Sequence, residues 1–185
     1  MATLHRYRTF ETAHGVAAIA WGGDAVTAFR LPGEGREAER SLLRRLPDAA
    51  PGDPPPAVAV VIADAIRYFA GEPVDFDPVT IDLGEQEPFF ARVYARVRAI
   101  PRGETMTYGA VAKELGAGPE AARAVGQAMA RNPIPLIVPC HRVLAAGSKL
   151  HGFSAPGGAL AKSRMLEIEG VLTEPPPAAQ TAFDF

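Results

Sequence analysis

Cysteine is almost missing from this chain: there is one among 185 residues, Cys140. A lone thiol excludes an internal disulfide and a zinc site built on cysteines, and it suits a reducing compartment. The four histidines, His5, His14, His141 and His151, show no metal-ligand spacing, so neither a structural metal nor a cofactor is expected. Long apolar runs are missing too. None approaches the roughly 20 residues that span a bilayer. The opening stretch MATLHRYRTF holds no apolar signal core. The expected location is the cytoplasm, with no membrane partner. Net charge is small, −2 at neutral pH, which by itself argues against nucleic acid. No internal repeat is visible.

What is present fits a soluble globular protein: 48% apolar and 22% charged residues. The length allows one large domain or two small ones. The charge is unevenly placed. Residues 92 to 170 hold 11 Lys and Arg against 5 Asp and Glu, and the remainder is correspondingly acidic. One basic half suits a face turned to a polyanion; ordinary solvated surface explains it equally well.

The first part reads as a small mixed α/β unit. VAAIAW (16–21) and AVTAFRL (25–31) flank a glycine turn, as in a hairpin. GREAERSLLRRL (35–46) is a charged helix stopped by Pro47, and DAAPGDPPPA (48–57) is a loop unable to pair in a sheet. Val58, Val61, Ile62, Ala65, Ile66 and Phe69 follow helical spacing up to Gly71, and VTIDL (79–83) reads as another strand. From about residue 86 the pattern becomes helical. Phe89, Phe90, Val93, Tyr94, Val97 and Ile100 mark one apolar face. Thr107 caps a short helix (108–115), a glycine turn follows, and Pro119 opens a second helix reaching about Arg131. Two short helices across a glycine turn form a helix-turn-helix candidate; two packed core helices are the commoner meaning of that pattern. The second helix is rich in small residues, Ala121, Ala122, Ala124 and Gly126, around a single basic one, Arg123. Small side chains permit close approach, either to another helix or to the floor of a nucleic-acid groove.

The thiol lies in NPIPLIVPCHRV (132–143). A free cysteine is usually a small buried hydrophobe. Here two X-Pro pairs enforce extended backbone, Leu136 to Val138 read as a strand-like anchor, and Pro139 stiffens the approach to Cys140. His141 and Arg142 are possible positive neighbours, and cationic surroundings favour the nucleophilic thiolate. GGALAKSRMLEIEG (157–170) reads as a helix with Gly170 just past its end. Glu167 and Glu169 fall in its last turn, where the helix dipole disfavours anions. Glu169 as the acceptor for His141 would complete a Cys–His–Glu relay; a solvated glutamate is the plainer alternative.

Taken together, NPIPLIVPCHRV, the preceding AARAVGQAMARN and the following HGFSAPGG…MLEIEG closely resemble the O6-alkylguanine-DNA alkyltransferases. The resemblance covers about residues 86 to 170. It implies a small N-terminal ribonuclease-H-like α/β domain (1–85), then a helical winged helix-turn-helix-like catalytic domain (86–170), then a proline-rich tail (171–185). It implies a monomer that binds double-stranded DNA in the minor groove and flips the damaged base. The alkyl group of O6-alkylguanine, with O4-alkylthymine as a further lesion, would pass once and irreversibly to Cys140. His141 would take the thiol proton through a water, Glu169 would orient His141, and Asn132 would tie the helix-turn-helix to the active-site loop. Tyr108 would assist base rotation and Arg123 would fill the vacated stack. Ala121, Ala122 and Gly126 would meet the groove floor. Met129 and Phe153 would line the alkyl pocket, the carbonyls of Cys140 and Val143 would read the guanine amino group, and the Ser154 amide would meet O6. The chain departs from the commoner Tyr-Ser-Gly-Gly pattern at Phe153 and at the inserted Ala155-Pro156, which bears on alkyl-size preference. A lesion sensor that does not transfer, and a thiol hydrolase that turns over, are the competing readings.

Overall fold

VAAIAW shows no polar alternation because both of its faces are covered. Strands β1 (Arg6–Thr12), β2 (Gly15–Gly22) and β3 (Ala25–Gly33) form an antiparallel sheet with β2 central, and a two-residue strand β4 (Ala50–Pro51) adds parallel to β1. Ala17, Ile19 and Trp21 point to one face, where helix α2 (Pro56–Phe69) packs with Val58, Val61, Ala65, Tyr68 and Phe69. Ala18, Ala20 and Ala28 line the other face against Ala38 and Leu42 of α1 (Glu37–Arg45). Period-two side chains divide a continuous apolar run between two helices. The computed structural model describes residues 4–147 and 158–171. Among them no helix is long and apolar enough to cross a membrane.

Four local expectations are corrected. The segment 48–57 does pair. Ala50 N donates to His5 O and Gly52 N to Tyr7 O, both at 3.1 Å, so the donors flank Pro51, whose missing N–H is tolerated at a sheet edge. Residues 79–83 form no strand. Ile81 makes a single bridge to Val26, and Asp82 then folds back, its Oδ1 accepting from Gly84 N at 2.8 Å. On α2, Val58, Val61, Ala65 and Phe69 are buried as expected, but Ile66 is 39% exposed and Tyr68 is fully buried in its place, so the buried face is turned toward Tyr68. Finally, Leu136 to Val138 are a turn and not a strand. Leu136 is buried with φ of +78°, a left-handed conformation that L side chains rarely adopt.

The second part follows expectation closely. Helix α3 (Pro88–Arg98) buries Phe90, Val93, Tyr94 and Val97. These pack on Val111 and Ala112 of α4 (Tyr108–Glu114) and on Val125, Ala128 and Met129 of α5 (Ala122–Ala130). Thr107 caps α4, its Oγ1 accepting from Ala110 N at 3.1 Å, worth about 1 kcal/mol. A single 3-10 turn, Pro119–Ala121, precedes α5. Strands β5 (Met106–Thr107) and β6 (Val143–Leu144) pair in parallel, and α6 (Gly158–Ile168) follows. The two parts interlock: Ile134, Leu136, Ile137 and Met165 belong to the same core as α2 and the sheet. In addition, Phe29 N and Arg30 Nη1 each donate to Pro133 O at 3.0 Å.

Candidate active site

The loop before Cys140 is closed by its own first residue. Asn132 Nδ2 donates to Val138 O at 2.8 Å, and Asn132 Oδ1 accepts from Ile134 N at 3.0 Å. One side chain thus spans the turn that Leu136 strains. Pro139 follows, and a 3-10 turn (Cys140–Arg142) sets successive side chains in different directions. Cys140, 5% exposed, packs among Met129, Val138 and Val143, with Tyr108 alongside.

Burial pushes the Cys140 thiol up; the Asn132 side chain, the Lys162 charge and the backbone amides of Cys140 and His141 pull against it. Burial thus works against the thiolate that cationic neighbours would favour. Its positive neighbour is also a different residue. Arg142 turns to Glu169, and the cation whose charge acts on the sulfur is Lys162, buried on α6, its Nζ donating to Val143 O at 2.5 Å and lying 5.7 Å from the Tyr108 ring centroid. Burial lowers the Lys162 pKa to about 8, against the pull of Cys140.

His141 is fully buried, and its Nε2 lies 2.7 Å from Glu169 Oε1. An ionised carboxylate can only accept, so Nε2 carries the proton. Nδ1 is then the basic nitrogen, and it is buried with no hydrogen-bond partner among the described residues. Burial lowers the His141 pKa against the raising effect of Glu169, which keeps the imidazole neutral and able to accept. Burial would raise the Glu169 carboxyl, but His141 and Arg142 outweigh it and hold it well below the usual range. Arg142 donates through Nε to Oε2 at 2.9 Å and through Nη2 to Oε1 at 3.0 Å, and its Nη1 caps Ile100 O at 2.5 Å. Glu169 is thus no solvated glutamate; exposed Glu167 fits that description. The contact from His141 to the thiol runs through its backbone amide, and among the described residues no group of three His, Cys, Asp or Glu could hold a metal ion.

The fold therefore gathers Cys140, Asn132, His141, Glu169, Tyr108, Met129 and Val143. Arg123 projects from the first turn of α5 as an exposed residue, with Ala121, Ala122, Ala124 and Gly126 half-buried beside it. A Cβ added at Gly126 would meet nothing within 4 Å, so at this position the small residue faces open space and not another helix. Phe153, Ser154 and the Ala155-Pro156 insertion lie outside the described residues. Two site residues were not anticipated from the sequence: Lys162, and Tyr68 of α2, whose hydroxyl donates to Glu169 Oε1 at 2.9 Å. A signal for Lys162 existed: Lys162, Met165, Leu166 and Glu169 fall at i, i+3, i+4 and i+7, one face of a helix.

A family described as the 6-O-methylguanine DNA methyltransferase DNA-binding domain matches residues 88–171. The methylated-DNA–protein-cysteine methyltransferase of Mycobacterium tuberculosis is 39% identical over 178 residues, covering 96% of this chain and 98% of that relative. The chain belongs to the O6-methylguanine-DNA methyltransferase family. A Thermus thermophilus relative named DNA base-flipping protein is 40% identical over 74% of this chain and 87% of its own length. The crystal structure of the M. tuberculosis OGT in complex with DNA superposes with a TM-score of 0.72 at 38% identity, covering 89% of this chain and 92% of that one. The mixed α/β fold is thus that of solved methyltransferases. The matched family segment starts at α3 and takes in the site described above, with the exception of Tyr68.

Proposed function

We propose that this chain repairs O6-alkylguanine in double-stranded DNA by direct reversal, moving the alkyl group once to Cys140. The observation that carries the reading is the committed tautomer of His141. Its Nε2 proton is held by Glu169, and its buried Nδ1 is left to accept, one residue from the only thiol in the chain. The Cys140 proton passes to Nδ1 through one water. The sulfur, with Lys162 balancing its charge, attacks the alkyl carbon opposite O6. The S–C bond forms as the C–O6 bond breaks, and the electron pair returns to the purine, whose N1 takes a proton to restore guanine. The thioether has no route back to thiol, so the protein acts once. Excess lesion-bearing duplex should be repaired to one equivalent per protein and then stop. Continuing release of product would favour the hydrolase reading, and bound but unrepaired lesion the sensor.

In this reading residues 1–85 form a ribonuclease-H-like support, residues 86–170 a winged helix-turn-helix-like domain, and 171–185 a tail. The α5 face with Ala121, Ala122 and Gly126 lies on the minor-groove floor, where the target base must leave the stack before O6 is reachable. Arg123 fills the gap. Asn132 holds the loop, Tyr108 meets the flipped base, and Met129, Phe153 and Ser154 shape its pocket. The open space at Gly126 supplies a test. Gly126→Leu should hold or raise Tm, because leucine favours a helix over glycine. It should weaken binding to undamaged duplex by about tenfold or more, as the helix loses its close approach and its phosphate contacts. A fall in Tm with unchanged binding would return this face to core packing. Arg123→Ala should impair transfer more than non-specific binding; equal losses would remove the finger role.

A further inference from the structure

We propose that Tyr68, on helix α2 of the N-terminal part, is a positioning residue of the transfer reaction: its hydroxyl donates to the same Glu169 oxygen that holds His141, fixing that carboxylate and limiting its grip on the imidazole proton. The proposal rests on the reading of Cys140, His141 and Glu169 given above.

The geometry is specific. Tyr68 OH lies 2.9 Å from Glu169 Oε1, the atom 2.7 Å from His141 Nε2. A phenol has one proton to give. Its other neighbours, Met165 O at 3.3 Å and His141 Nε2 at 3.5 Å, are farther away, and the proton on Nε2 is already committed. Burial, then the Glu169 charge, raises the phenol far above its ordinary range, so it remains a donor at every working pH. The ring is fully buried and wedged edge-on against Phe69 and Phe76, at centroid distances of 5.2 and 5.9 Å. Packing alone would be served by phenylalanine, whereas a buried hydroxyl is costly unless bonded. Oε1 thus divides its charge among His141, Tyr68 and Arg142. An acceptor shared in this way holds each proton less strongly. The groups acting on His141 are Glu169 from the end of α6, Arg142 from its own turn, Lys162 from α6 and Tyr68 from α2, with Cys140 adjacent in the chain; Arg102 adds a charge felt by Tyr68.

The test is the pH profile of single-turnover transfer to Cys140 in the full-length protein. Its acidic limb reports the loss of the free Nδ1 lone pair. Tyr68→Phe keeps the ring and removes the second donor, so His141 should hold its proton more tightly. The limb should move up by about one pH unit, lowering the rate about tenfold below it while the alkaline plateau stays near wild type. Replacing Tyr68 with 3,5-difluorotyrosine, a more acidic donor of nearly the same shape, should move the limb the other way. It also decides the matter if Tyr68→Phe folds poorly. A limb that stays in place in the folded variants overturns the proposal, even where Tm or the plateau drops. Absence of alkyl on wild-type Cys140 would instead sink the parent reading.

Discussion

Wild-type protein incubated with a duplex holding one O6-methylguanine should gain one methyl group, mapped by mass spectrometry to Cys140, and Cys140→Ala should gain none. The expected loss is complete because the described site holds no second nucleophile of comparable strength. Lys162 is pinned to Val143 O, and the hydroxyl of Tyr68 is turned to Glu169. Folding should survive the change. Removing one buried sulfur from the cluster of Met129, Val138 and Val143 leaves a small cavity, worth about 1 kcal/mol; Asn132 loses its contact to the thiol but keeps its bonds to Val138 O and Ile134 N. Lesion affinity should therefore persist, which separates loss of chemistry from loss of the site. The resting state gives a companion result. A thiol pushed up by burial reacts slowly with iodoacetamide, because the thiolate is the nucleophile. Fast labelling of the free protein, or a methylated Cys140→Ala, would overturn this account.

Much of this site was legible because its chemistry is local in sequence. Cys140, His141 and Arg142 are consecutive, and the proline-bracketed loop before them has a restricted backbone. Glu169 stood out as an acid where the helix dipole resists one, and the structure explains it: three residues donate to its carboxylate. The misses are of another kind. A lysine in a helix ordinarily reads as solvated, and only the packing of α6 against β6 shows Lys162 turned inward. Tyr68 comes from a different part of the chain, 101 residues from its partner, and no local pattern spans that separation. The fold divides similarly. Thr107, Pro119 and Gly170 mark helix ends by their own chemistry. The pairing of Ala50–Pro51 with β1, and the left-handed Leu136, depend on contacts elsewhere: Arg6 and Tyr7 in one case, the Asn132 clasp in the other.

Glu169→Gln should slow transfer by on the order of a hundredfold and destabilise the protein by about 3–5 kcal/mol, and the two effects can be separated. The stability loss arises from Arg142. Its side chain is 5% exposed, and without the carboxylate a buried guanidinium is left without its counter-charge. The rate loss arises from His141, whose imidazolium form would lose the anion that stabilises it. Replacing Arg142 with Met in the Glu169→Gln background removes the orphaned charge, so stability should recover substantially while transfer stays slow. Recovery of both would reduce Glu169 to a structural role. The pH dependence has a defined sign. The folded Glu169 pKa is held below its ordinary 4.5, so its stabilisation is complete above that value and lost as pH falls through the folded pKa. The stability gap between wild type and Glu169→Gln should thus be widest near neutral pH and narrow in acid. A gap that stays constant across this range would mean that the carboxylate charge is not what holds Arg142 and His141 in place.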